Sequence, residues 1–112
     1  MRILGFSRKW SKLNQDKFTT FRYPRKDSYR GMDWHGGEDV QIVYRPRHEH
    51  EVLGVAKIIS KETKQCQMIT DIEAIADGFQ EVGEMMDFLG LPVGYEWINK
   101  LTLRWIERQA CV

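Results

Sequence analysis

Apolar and polar residues follow one another in short blocks along this chain, and the period within each block changes from two to between three and four and back again. Arg2-Ile3-Leu4-Gly5-Phe6 is a brief apolar run that predicts a strand, and Ser7 is a fair N-cap for a short helix to about Asn14. Trp10 and Leu13 stand i, i+3 and form its buried stripe, which leaves Arg8, Lys9 and Lys12 outside. From about Phe18 to Tyr23 the residues favour a pleated backbone, and Pro24, which has no N–H to give to a central ladder, ends the strand. Alternation puts Thr20 and Arg22 on one face with Phe18, and Thr19, Phe21 and Tyr23 on the other.

Tyr23 to Glu38 shows no sustained period and reads as a long surface loop. Asp39 to Tyr44 predicts a strand, Arg45 to Glu51 a turn, and Val52 to Ser60 the strongest strand, with Gly54 marking a bulge, a barrel corner or a close approach. A turn at Lys61–Lys64 and a further edge strand at Gln65–Ile69 follow. Thr70-Asp71-Ile72-Glu73 is a capping box that opens a helix. Ile72, Ile75, Ala76 and Phe79 are its apolar stripe, and Gly78 is its left-handed cap. A second helix carries Val82, Met85, Met86 and Leu89 and stops at Gly90. Leu101 to Ile106 alternates as a closing strand. Five or six short strands with two to three short helices fit one α+β domain over residues 1–112, built on a small, partly open barrel.

Composition narrows the chemistry. Cys66 and Cys111 lie far apart and near no paired histidines, so two free thiols in a reducing compartment are expected rather than a disulfide or a zinc site. His48 and His50, i, i+2 in a turn without a third ligand, do not make a metal site, and no metal or other cofactor is expected. No signal peptide and no run of about 18 apolar residues is present, which predicts a soluble, cytoplasmic protein without a membrane partner, and a monomer. The net charge of +1 hides an asymmetry: residues 1–35 hold nine Lys/Arg against three Asp/Glu. A local basic face is what phosphate contacts require, unless folding intermixes these charges with the acidic remainder. In the loop, Arg25, Lys26 and Arg30 stand among Tyr29 and Trp34, a mixture that offers phosphate contacts and stacking surfaces to single-stranded RNA. Tyr29 and Trp34 have a second option, which is to fold back as a lid on the core. Lys17, at the mouth of the Phe18 strand, is long enough to reach Thr20 and Arg22, so the hydroxyl sits between two cations. That surface suits phosphate, and equally a threonine nucleophile activated by an amine.

Lys17-Phe18-Thr19-Thr20-Phe21-Arg22, Gly37-Glu38-Asp39-Val40, Val52-Leu53-Gly54-Val55-Ala56, Asp77-Gly78-Phe79 and Leu101-Thr102-Leu103-Arg104-Trp105 occur in an order and spacing that resembles the ASCH family of the PUA-like superfamily. The resemblance implies a pseudo-barrel with a cleft between barrel and helices, and binding of RNA or of modified bases. Some small members are similar to amidohydrolases that deacylate N4-acetylcytidine with a lysine, a threonine and a glutamate. On that pattern Lys17 is the base, Thr20 the nucleophile and Asp77 the carboxylate, one methylene shorter, with Arg22 placing the substrate. The leading expectation is an RNA-binding module contacting RNA through Lys17, Arg22, Arg25, Lys26, Tyr29, Arg30 and Trp34. An amidohydrolase acting on a modified nucleoside and a protein-interaction adaptor using the same loop are the alternatives.

Overall fold

A computed structural model, which describes residues 1–23, 33–89 and 97–108, is an α+β fold with a five-stranded mixed sheet and two helices. The strands are β1 (Arg2–Phe6), β2 (Lys17–Arg22), β3 (Asp39–Tyr44), β4 (Glu51–Gln65) and β5 (Trp97–Arg108), in the order β1-β3-β4-β5-β2. β1 runs parallel to β3, and the other neighbours are antiparallel. β1 and β2 are the two edges and do not pair with each other, so the sheet is not closed.

β4 is longer than its apolar run because β5 supplies partners for its charged end. Lys61 faces Leu101, Thr63 faces Asn99 and Gln65 faces Trp97, so the segment expected to turn continues as strand. The expected edge strand after it is instead a single 3₁₀ turn at Cys66–Met68, with Cys66 buried. Gly54 meets its expectation: φ is 147°, a Cβ there would stand 2.1 Å from the Glu107 carbonyl oxygen, and the β3 register slips beside it.

Helix α1 (Asp71–Asp77) has the capping box in full, and Gly78 closes it with φ 112°. Its inward side is not the one the apolar spacing indicates. Ala74 and Asp77 are buried, whereas of the expected stripe Phe79, just past the helix, is buried and Ile72, Ile75 and Ala76 are exposed, the first two by 80% and 58%. The helix has only two turns, and its orientation is set by Glu73, which binds Lys64 of β4 at 2.6 Å and Lys100 of β5 at 2.8 Å. Residues 73, 74 and 77 therefore share the face turned to the sheet. Helix α2 (Val82–Leu89) buries Met85 as its spacing indicates, with Val82 and Met86 packed alongside; the Leu89 side chain and Gly90 lie outside the described residues. No helix among the described residues is long and apolar enough to cross a membrane.

Two apolar clusters make the core. One gathers Leu4, Phe18, Ile42, Ile58, Leu103 and Trp105 with their neighbours on the sheet, and the other joins Phe21 and Ile98 to Ala74, Phe79 and Met85 of the helical side. Trp10 packs against both.

Candidate functional site

A cavity of about 310 Å3 opens where the two clusters meet. Trp10, Phe79 and Phe88 wall it: Trp10 lies 5.1 Å from Phe79 and 5.6 Å from Phe88 between ring centroids, and Phe79 lies 5.4 Å from Phe88. Gly78 makes this wall possible, since a Cβ at that position would stand 2.8 Å from the Trp10 ring. The polar part of the lining is Lys12, Thr20, Arg22 and Asp77.

Three elements deliver those side chains. Lys12 comes from a 3₁₀ turn at Ser11–Asn14, where the expected helix from Ser7 does not form. The tighter turn buries Lys12 together with Leu13, so the lysine expected at the surface is 5% exposed. Its Nζ donates to Asp77 Oδ1 at 2.5 Å and to the Thr19 carbonyl oxygen at 2.8 Å. Thr20 and Arg22 share a face of β2, as alternation requires, and Thr20 is buried. Asp77 is the last residue of α1, turned inward by the Glu73 anchor one helical turn earlier.

Burial dominates the electrostatics. It pushes the Lys12 amine below its usual 10.5, with Asp77 opposing and Arg22 adding to the fall. It also raises the Asp77 carboxyl above its usual 3.8, opposed by Lys12 and then Arg22. Arg22 is lowered to about 10 by burial, with Asp77 opposing, and so stays charged at neutral pH. Its guanidinium lies 4.6 Å over the Phe6 ring. Among the described residues its one hydrogen bond runs from Nε to Thr20 Oγ1 at 3.4 Å, and Asp77 Oδ2 accepts none. The cavity is thus bordered by a cation with spare donors and a carboxylate with a spare acceptor.

Of the residues singled out from the sequence, Thr20, Arg22 and Asp77 come together here. Lys17 does not: it is exposed at the start of β2, in register with Arg104, and takes no part in the lining. Lys12 stands where Lys17 was expected. Trp34 is 4% exposed and belongs to the sheet's core under the Arg2 guanidinium, so it takes the fold-back option rather than the stacking one. Arg25, Lys26, Tyr29 and Arg30 lie outside the described residues. Three cations of the basic front end meet carboxylates from the acidic remainder, in the pairs Arg2–Glu38, Lys9–Glu51 and Lys12–Asp77. Folding therefore intermixes much of that charge. Comparison of the chain with protein-family models, curated proteins and solved structures finds no match.

Proposed function

We propose that the protein is an RNA-binding module of the ASCH, PUA-like type, and that the cavity receives one base of a single-stranded or looped segment. The observation that carries this reading is the cavity itself, a space of about 310 Å3 walled by Trp10, Phe79 and Phe88 with donors and acceptors on its polar side. Ligand sites commonly have this make-up: mostly apolar and aromatic lining with a few polar groups that fix orientation, at volumes from about 300 Å3 upward. Aromatic faces hold any base by stacking, while Arg22 and Asp77 present a donor and an acceptor to its edge. Lys17, Arg25, Lys26 and Arg30 serve the phosphates in this reading and Tyr29 stacks; the pseudo-barrel shape is part of the same proposal.

Anisotropy titrations of short single-stranded RNAs at several salt concentrations test it. Affinity should fall as salt rises, by about one unit of logarithmic slope for each phosphate neutralised. Phe88→Ala should weaken binding without changing that slope. No binding of any RNA at low salt, or a Phe88→Ala affinity equal to that of the parent, rejects the base pocket.

The grouping of Lys12, Thr20 and Asp77 favours a second reading, hydrolysis of an acylated amine on a nucleoside. A neutral Lys12 takes the Thr20 proton as the hydroxyl adds to the acyl carbon, the amine leaves with that proton, and water then releases the acid from the threonine ester. Burial lowers the Lys12 pKa in the direction this requires, while the Asp77 carboxylate works against it. Acetate release from N4-acetylcytidine, lost in Thr20→Ala and retained in Lys17→Ala, is the expected result of this reading. No release above that of Thr20→Ala leaves the site as a binding cavity.

A further inference from the structure

Next to the base-sized cavity lies a second, more open one of about 710 Å3. The two share Gly5, Phe6, Ser7 and Arg22, so they are neighbours across the end of β1, with Arg22 between them. The outer wall of the second cavity is the β3–β4 turn, which brings Arg45, Arg47 and His48 to it. Arg45 meets Glu49 at 3.0 Å. Arg47 forms no ion pair among the described residues, and it is exposed.

This turn is held against β1. The Arg45 N–H donates to the Phe6 carbonyl oxygen at 2.8 Å, and the N–H groups of His48 and His50 both donate to the Arg45 carbonyl oxygen at 2.9 Å. Pro46 fills the space over Gly5 so closely that a Cβ on Gly5 would stand 2.7 Å from Pro46 Cγ. Arg45 and His50 both take positive φ, 47° and 50°, in a turn that these contacts hold in place. The cations of the turn are therefore carried on a braced segment beside the aromatic cavity.

We propose that the second cavity is a phosphate subsite, in which Arg47 and Arg22 bind the phosphate of a nucleotide whose base occupies the aromatic cavity. This rests on the base-pocket reading and specifies its ligand as a phosphorylated nucleoside unit rather than a free nucleoside. Arg22 is suited to join the two parts. Its Nε is directed to Thr20 on the base side, and its Nη1 and Nη2, without partners among the described residues, supply the paired donors that a phosphate oxygen pair accepts. Arg47 adds a cation from the opposite wall without a carboxylate to displace. The phosphate has two possible sources, the 5′-phosphate of a free nucleotide or the internucleotide phosphate of an RNA chain.

Calorimetric titration of the four ribonucleosides, their 5′-monophosphates, and tetraribonucleotides lacking a terminal phosphate tests the assignment. For the preferred base, the monophosphate should bind about tenfold more tightly than the nucleoside at low salt, the difference expected for one charge-assisted contact pair. Arg47→Ala, on an exposed turn position, should reduce that ratio to about two while leaving nucleoside affinity unchanged. A tetranucleotide that matches the monophosphate identifies an RNA chain as the source, and one no tighter than the nucleoside identifies a free nucleotide. Nucleoside and monophosphate binding equally well overturns the subsite and spares the base pocket. If nothing in the panel binds, both fall.

Discussion

Lys12 Nζ and Asp77 Oδ1 lie 2.5 Å apart although 65 residues separate them in the chain, and both side chains are about 95% removed from solvent. The pair ties the 3₁₀ turn before β2 to the end of α1, and so sets the distance between the two sides of the cavity. Removing one partner leaves the other buried without its counter-charge. Lys12→Met and Asp77→Leu should each cost about 3–5 kcal/mol in urea unfolding, and the double variant should recover most of that loss. Additive losses would mean that the two side chains contribute separately.

The same pair gives a signed pH dependence. In Asp77→Asn the lysine keeps its burial and loses the carboxylate that opposes the fall, so its folded pKa drops further below 10.5. Between that folded pKa and 10.5 the unfolded chain binds more protons than the folded one. Stability of Asp77→Asn should therefore rise as pH increases through this window and level off above it. A variant equally stable at pH 7 and pH 10, by thermal unfolding, would contradict the burial of the amine.

Glu73 behaves oppositely. Two lysines and the Thr70 amide hold its carboxyl near 2, against burial, which acts to raise it. A depressed carboxylate pKa contributes stability that is complete above the unfolded value of 4.5 and is lost as pH falls toward 2. The drop from 4.5 to about 2 sets an upper bound of about 3.5 kcal/mol at about 1.4 kcal/mol per unit, and solvent screening of the lysine pairs brings the contribution below it. Glu73→Gln should flatten this acid limb, and because Glu73 orients α1, it should also weaken ligand binding at neutral pH.

How far the sequence speaks depends on whether an interaction is local. Thr70, Glu73 and Gly78 are legible because the capping box and the left-handed cap are closed by neighbours within a few residues. Asp39–Tyr44 is legible because a buried strand needs little but apolar residues. Lys61–Lys64 reads as a turn because its strand character comes from β5, a partner that periodicity cannot see. Ile72 and Ile75 show the same limit from the other side: in a two-turn helix, the ion pairs of Glu73 outweigh an apolar stripe. Thr20, Arg22 and Asp77 were within reach of the sequence, but Lys12 was not, because its burial follows from a 3₁₀ turn rather than a helix. The signal that could have found it was Asp77 itself: a carboxylate at the inward end of a helix requires a cation, and a lysine beside Trp10 and Leu13 is one that the core can reach.

Two glycines offer a matched comparison. Gly78→Ala places a residue with a side chain at φ 112° and drives its Cβ into Trp10, so it should destabilise by more than the roughly 1–2 kcal/mol of a left-handed residue alone. It should also loosen the aromatic wall and reduce ligand affinity. Gly83→Ala, in the first turns of α2 with only a Glu81 side chain nearby, its oxygen 3.4 Å away, should stabilise by about 0.5–1 kcal/mol and leave binding unchanged. Urea midpoints that move in the same direction for both would argue against the clash with Trp10.

Arg22 poses the sharpest trade between stability and function. A half-buried guanidinium held among Phe6, Thr20 and the cavity walls, with one long hydrogen bond and no carboxylate within salt-bridge distance among the described residues, is retained against the cost of partly desolvating it. Arg22→Met keeps the apolar stem and discards the half-buried charge, so unfolding should be unchanged or shifted to higher urea, by up to about 1 kcal/mol. Without the guanidinium the cation–π attraction to the Phe6 ring disappears, which reduces the gain but does not reverse it. RNA affinity should fall in the same variant and its salt slope should drop by about one unit, whereas Arg22→Lys should keep the slope and lose the paired donors. A destabilised Arg22→Met with unaltered affinity would make Arg22 a structural residue and remove it from the site.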